Sequence, residues 1–280
     1  DILSLSIPVS DILIKKKMNK SRKWILATLK TSLEQGAKLP QKICVGLEDA
    51  TRADSLFLEQ IITLCDKYKV LRIRLADTVG ISTPGQIISL VKNILPQLKH
   101  SGLAFHGHND FGMATANSIA AIEAGASWVD GTISGAGERS GCTRIEELIG
   151  YAELLRNKPG YHSNKLKTLS ETFLLFTQRK VEEHLPFTGK HIFACETGLH
   201  IHGLQQSPDT YEPYPPEKVG TKRDIRIGAK CGRRAIAIKL HSLGFPIDDQ
   251  FLNKKINSIR SYASKMNHLS DQDLLELVNK

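Results

Sequence analysis

The sequence predicts an α/β fold, parallel strands alternating with helices, followed by a mostly helical appendage. Strand-like and helix-like stretches alternate without a break as far as Arg156, polar residues gather after the strands rather than before them, and beyond Arg156 the alternation stops. Such a series implies right-handed crossovers, and polar strand exits belong to the C-terminal face of a barrel. A doubly wound sheet is the competing architecture. Its glycine fingerprint is absent, because Gly135-Ala136-Gly137 lacks the spacing that should follow. The reading divides the chain into residues 1–156, part of a barrel domain, and residues 157–280, a linker and helical subdomain.

The elements follow in order. Residues 3–9 read as a strand, and Lys20-Ser21 caps a helix over 22–35 that Gly36 closes. Residues 43–47 form the second strand, with Glu48-Asp49-Ala50-Thr51-Arg52 as its exit loop, and Asp54 caps an amphipathic helix reaching Tyr68. The third strand, 71–76, exits through Asp77-Thr78-Val79-Gly80, and Thr83-Pro84 opens a helix towards Leu95. Residues 103–108 and 128–134 are the fourth and fifth strands, and Thr143 with Glu146 reads as a capping box for the next helix. A long amphipathic helix is expected over 166–185, a connector rich in Pro and Tyr over 207–216, and two helices in 248–280.

With 280 residues, 41% hydrophobic and 24% charged, the chain is long and apolar enough to bury a substantial core. A net charge of +9 favours anionic substrates. It does not point to nucleic acid, because the basic residues are scattered and the one tight run, Lys15-Lys16-Lys17, has no interleaved aromatics. No apolar run is long enough to cross a bilayer. Five cysteines without a C-x-x-C pair argue against a disulfide framework or zinc ribbon and fit a reducing, cytoplasmic setting. The first residue is Asp1 rather than Met, which leaves the natural start open.

The chemistry centres on Phe105-His106-Gly107-His108-Asn109-Asp110. Alternation along a strand sends residues i and i+2 to one face, so His106 and His108 aim both imidazoles at one point beyond the strand end. Two neutral imidazoles so placed suit a divalent metal, and a strand-to-helix junction is where β/α folds bind ligands.

Five motifs occur in an order that resembles the isopropylmalate and homocitrate synthase family: Glu48-Asp49-Ala50 with Arg52-Ala53-Asp54, Ala76-Asp77-Thr78-Val79-Gly80, His106-Gly107-His108-Asn109-Asp110, Gly137-Glu138-Arg139, and Glu196-Thr197-Gly198-Leu199-His200. Within that family Ile7-Pro8-Val9-Ser10-Asp11 and Asp209-Thr210-Tyr211-Glu212-Pro213 are most similar to the nitrogen-fixation type of homocitrate synthase. The resemblance implies a TIM-barrel metalloenzyme that condenses acetyl-CoA with a 2-oxo acid, here 2-oxoglutarate, releasing homocitrate and CoA for the nitrogenase cofactor. Aligned by motif, the strands here are the family's fourth to eighth. The first three, with a metal-ligating carboxylate and an arginine, have no counterpart. Either the sequence is a fragment or an N-terminal, alpha-type partner chain supplies the rest, as in synthases split into alpha and omega polypeptides, and a higher oligomer is expected.

The resemblance also distributes roles. His106 and His108 hold a divalent ion (magnesium, manganese or zinc), the Thr78 hydroxyl binds the substrate carboxylate, and His200 is the base, assisted by Tyr211 and Glu48. Cys142 stands where the isopropylmalate branch has a metal-proximal Asn, which makes it a candidate third ligand. Cys195 and the turn Gly228-Ala229-Lys230-Cys231-Gly232 also depart from the family pattern. Isopropylmalate or citramalate synthesis, and a non-catalytic partner subunit, remain as alternatives.

Overall fold

In the computed structural model, which describes all residues except Val181, Lys230, Pro246, Ile247, Asn267 and Lys280, the chain divides into two units, Asp1–Ile149 and Gly150–Lys280. The break falls before position 156. In the first unit, five parallel strands lie side by side in chain order: β1 (Ile2–Pro8), β2 (Lys42–Glu48), β3 (Arg72–Asp77), β4 (Gly102–Gly107) and β5 (Trp128–Val129). Helices α1 (Arg22–Gly36), α2 (Ser55–Lys67), α3 (Pro84–Ile94) and α4 (Ala114–Glu123) connect them, and α5 (Ile145–Gly150) follows β5.

The register explains how one face becomes core and the other a site. Ile7, Leu47, Leu75, Phe105 and Val129 are in line across the sheet, and they join the apolar cluster built with Leu29 and Leu33 of α1, Phe57, Ile61 and Ile62 of α2, and Ile87 and Val91 of α3. One residue earlier, the row is Ser6, Gly46, Arg74, Ala104 and Trp128, which faces away from that cluster. A period of two thus separates an apolar face from a polar one. Parallel sheets are ordinarily apolar on both faces, so the polar face of these five parallel strands is not a second apolar core.

Three helix starts are as the sequence predicts. Ser21 accepts from the Trp24 N–H and Asp54 from the Phe57 N–H, while Thr83 and Gln86 form a reciprocal capping box with Pro84 in the first turn. Elsewhere the structure differs. β5 stops at Val129, because the Thr132 N–H bonds to the Thr143 carbonyl and the chain pairs with its own returning loop instead of with β4. The Thr143–Glu146 capping box does not form. Thr143 donates its hydroxyl to the Ala114 carbonyl and is hydrogen-bonded to the Ser118 hydroxyl, and the Glu146 carboxylate accepts the Ser134 N–H.

Asp66, at the end of α2, is buried and accepts the N–H groups of Lys99, His100 and Ser101, the turn that launches β4. Burial alone would raise its carboxyl pKa, but the three backbone donors outweigh that and leave it below the ordinary value. Asp66→Ala would leave these donors without their acceptor at a cost of about 3 kcal/mol. Because the folded pKa lies below the unfolded one, this contribution is complete above about pH 4 and fades as pH falls through the folded value. Chemical denaturation at pH 7 and pH 3 should show a smaller gap between variant and wild type at the lower pH.

The second unit contains α6 (Leu166–Thr177), β6 (Ala194–Cys195), α7 (Gly198–Gln206), β7 (Asp224–Ile225), α8 (Arg233–Ser242), α9 (Asp249–Ala263) and α10 (Asp271–Asn279). The short strands β6 and β7 pair in parallel, and Ile201, Ile236, Leu240, Leu252, Ile259 and Leu274 form its core. The long helix expected over 166–185 ends at Thr177. Gln178 turns left-handed, and the N–H groups of Gln178 and Arg179 close on the carbonyls of Leu175 and Leu174. Val181, within that expected helix, lies outside the described residues. The two expected tail helices are α9 and α10. Among the described residues, no helix is long and apolar enough to cross a membrane.

Candidate metal centre and active site

His106 continues the polar face two residues after Ala104, and His108 follows as β4 ends. Their Nε2 atoms are 3.3 Å apart and the rings stand nearly perpendicular. Cys142 arrives opposite, in an antiparallel bridge to His108, with Sγ 3.8 Å from His108 Nδ1. One donor atom from each of His106, His108 and Cys142 lies within 4.8 Å of the others. The loop reaches this position through glycine. Gly141 has φ +89°, and a Cβ there would sit 2.1 Å from the Gly135 carbonyl oxygen. Backbone bonds from Asn109 to Gly141 and from Thr143 to Gly107 then fasten the loop to the end of β4.

Two groups that the sequence reading gave no role support these side chains. Asp130, on the polar face beside β4, lies 3.3 Å from His106 Nδ1 and is itself bonded to Arg74 at 3.0 Å. Burial alone would raise the Asp130 carboxyl, yet the neighbouring His106 ring and the Arg74 guanidinium hold it below its ordinary value. A carboxylate behind one ring nitrogen leaves the other directed at the cluster. The available signal was the i, i+2 step from Trp128 to Asp130 at a strand exit. Arg139 is the second. It makes a two-pronged bond to Asp110 at 2.9 and 3.0 Å and donates to the Thr78 carbonyl at 2.7 Å, tying together the loops after β3, β4 and β5.

The residues fit a divalent ion. Two nitrogens bound about 2.0–2.1 Å from one tetrahedral ion lie about 3.3 Å apart. That is the separation of the two Nε2 atoms. Burial, with the nearby His106 and Arg139 charges, holds the His108 ring below its ordinary pKa, so its lone pair is free for a metal at neutral pH. Burial pushes the Cys142 thiol up despite the Arg139 charge.

The other predicted residues of this unit lie on neighbouring strand exits. The Thr78 Oγ1 accepts the Asp49 N–H at 2.8 Å, which leaves its hydroxyl proton to donate. Glu48, the last residue of β2, is held by Lys17 Nζ at 2.7 Å and Ser6 Oγ at 3.3 Å. In the second unit, α7 presents His200 on an exposed turn, and its ring centroid is 4.3 Å from that of Tyr211. Gly203 permits the approach, since a Cβ there would lie 2.3 Å from the tyrosine ring. The next residue, Glu212, accepts a two-pronged bond from Nε and Nη2 of Arg223. Cys195 lies in β6. The buried Cys231 donates to the Glu196 and Arg226 carbonyls, so in its turn the thiol ties backbone together, while Lys230 lies outside the described residues.

Comparison with known proteins places this arrangement. Residues 1–173 match the HMGL-like family, and residues 187–267 match the homocitrate synthase post-HMGL domain-like family. The chain belongs to the HMGL-like family. It is 34% identical over 284 residues to a probable 2-isopropylmalate synthase of Ignicoccus hospitalis, covering 100% of this chain and 70% of the relative. It is 34% identical to the homocitrate synthase AksA of Methanothermobacter thermautotrophicus, with 96% and 69% covered. It is 33% identical to the (R)-citramalate synthase CimA of Methanocaldococcus jannaschii, with 100% and 57% covered. Among solved structures, hydroxymethylglutaryl-CoA lyase from Pseudomonas aeruginosa matches with a TM-score of 0.56 at 17% identity, covering 64% of each chain. The chain thus spans less than two thirds of that lyase, and the likeness is one of fold.

Proposed function

We propose that the chain is the catalytic C-terminal part of a homocitrate synthase, which joins acetyl-CoA to 2-oxoglutarate by a Claisen condensation and hydrolyses the thioester to release CoA. The observation that carries the reading is the His106–His108 pair at the end of β4, on the polar face of a parallel sheet in an HMGL-like chain. The homocitrate synthase post-HMGL match over the segment bearing His200 and Tyr211 favours 2-oxoglutarate as the acceptor. The nitrogen-fixation branch is the physiological setting we assign.

His106, His108 and the candidate Cys142 would hold a divalent ion (magnesium, manganese or zinc), which when bound supplies Lewis-acid stabilisation of the charge developing on the ketone oxygen. Asp130 fixes the ring of His106, and Arg139 fixes the surrounding loops. The Thr78 hydroxyl donates to the substrate carboxylate while its oxygen stays anchored by the Asp49 N–H. His200, with Tyr211 beside it, takes a proton from the acetyl methyl group, and Glu48 assists in moving protons. The methyl carbon then bonds to the ketone carbon, the ketone oxygen ends as a hydroxyl, and water cleaves the C–S bond.

An N-terminal alpha-type chain supplying three further strands is the partner we assign, in a higher oligomer and in the cytoplasm. What supports the partner is β1, which lies at the sheet edge with Ile2 half exposed and, among the described residues, pairs with β2 alone. The test is CoA release from acetyl-CoA with 2-oxoglutarate, 2-oxoisovalerate or pyruvate, by the chain alone and with the alpha-type polypeptide, with and without divalent metal. We expect activity with 2-oxoglutarate in the metal-containing mixture. Preference for 2-oxoisovalerate or pyruvate would make the chain an isopropylmalate or citramalate synthase, readings favoured by relatives of nearly equal identity.

A further inference from the structure

Cys142 brings sulfur to a cluster whose other members, His106 and His108, offer nitrogen. It is 8% exposed, and its Sγ lies 3.8 Å from His108 Nδ1. Gly137 keeps the space that the sulfur fills, since a Cβ at that position would lie 2.6 Å from Sγ. The backbone is held on both sides: the Cys142 N–H bonds to the Gly135 carbonyl, and the Thr143 N–H bonds to the Gly107 carbonyl. The loop thus holds the thiol beside the His108 ring, with one donor atom of each of the three residues within 4.8 Å of the others.

We propose that Cys142 is a thiolate ligand of the centre and that it selects a borderline ion, zinc, cobalt(II) or iron(II), over magnesium and manganese(II). The inference rests on the reading that His106 and His108 bind a divalent ion. Soft thiolate sulfur with two imidazoles is a donor set for zinc and its neighbours, whereas magnesium and manganese favour hard oxygen. Coordination breaks the S–H bond, forms a sulfur–metal bond and releases the proton to solvent, with no change of oxidation state.

The test is spectroscopic and needs no turnover. The full chain, stripped with a chelator, is titrated anaerobically with cobalt(II), alone and in complex with the alpha-type polypeptide, and the same is done with Cys142→Ser and His108→Ala. We expect visible cobalt bands together with a near-ultraviolet sulfur-to-cobalt charge-transfer band. Cys142→Ser should keep the visible bands and lose the charge-transfer band. Its zinc affinity should fall by at least about tenfold, with magnesium affinity not weakened. Serine is no larger than cysteine, so the space beside Gly137 is respected, and a thermal melt checks the fold. A charge-transfer band that is absent in the wild type, or that survives in Cys142→Ser, overturns the proposal and leaves the two-histidine centre standing. Failure of the wild type to show any cobalt band that His108→Ala removes overturns the centre itself, and the proposal with it.

Discussion

Replacing His108 by alanine is expected to lower the rate of CoA release by about a thousandfold or more while leaving the fold intact. The side chain is only partly buried and belongs to the polar face of the sheet, not to the apolar cluster formed with α1, α2 and α3. Its loss therefore removes one of the nitrogens 3.3 Å apart without opening a cavity in the core. The same reasoning orders a series. His106→Ala should match His108→Ala, because either leaves a single imidazole. Asp130→Asn should cost less, about 10- to 100-fold, since it weakens only the group that orients His106. Single-turnover CoA release at saturating substrate, with a thermal melt on each variant, reads the series. Equal activity in wild type and His108→Ala would favour the non-catalytic subunit.

Features set by short stretches of chain were legible in the sequence. Ser21, Asp54 and Thr83 cap helices through bonds spanning three residues, so the residue types alone announce them. The convergence of His106 and His108 follows from strand alternation, and the parallel direction of the strands from their alternation with helices. Features set by distant pairing were not legible. Val129 ends β5 because Thr132 finds Thr143 across the loop, and nothing in the 128–134 stretch records that competition. The same distance hid Asp130 behind His106 and gave Glu146 to the Ser134 N–H instead of to a capping box. Cys142 could be suspected from a motif, but its approach to His108 depends on a glycine loop whose conformation only the folded chain shows.

Replacing His200 by alanine should lower kcat by about 10²- to 10⁴-fold, the range lost with a general base, and leave the KM for the oxo acid nearly unchanged. The ring is exposed on α7, so its removal costs little stability, and a melt should show the unit folded. Loss of the base also stops proton removal itself, which can be read apart from condensation. Exchange of the acetyl methyl protons of acetyl-CoA with deuterated solvent should disappear in His200→Ala and persist in Thr78→Val, which loses only the donor assigned to the oxo-acid carboxylate. Tyr211→Phe should fall between wild type and His200→Ala, because the ring contact of 4.3 Å survives and only the hydroxyl is lost. If His200→Ala keeps both exchange and turnover while His108→Ala keeps neither, His200 is not the base, and Glu48, at the end of β2, becomes the residue to replace next.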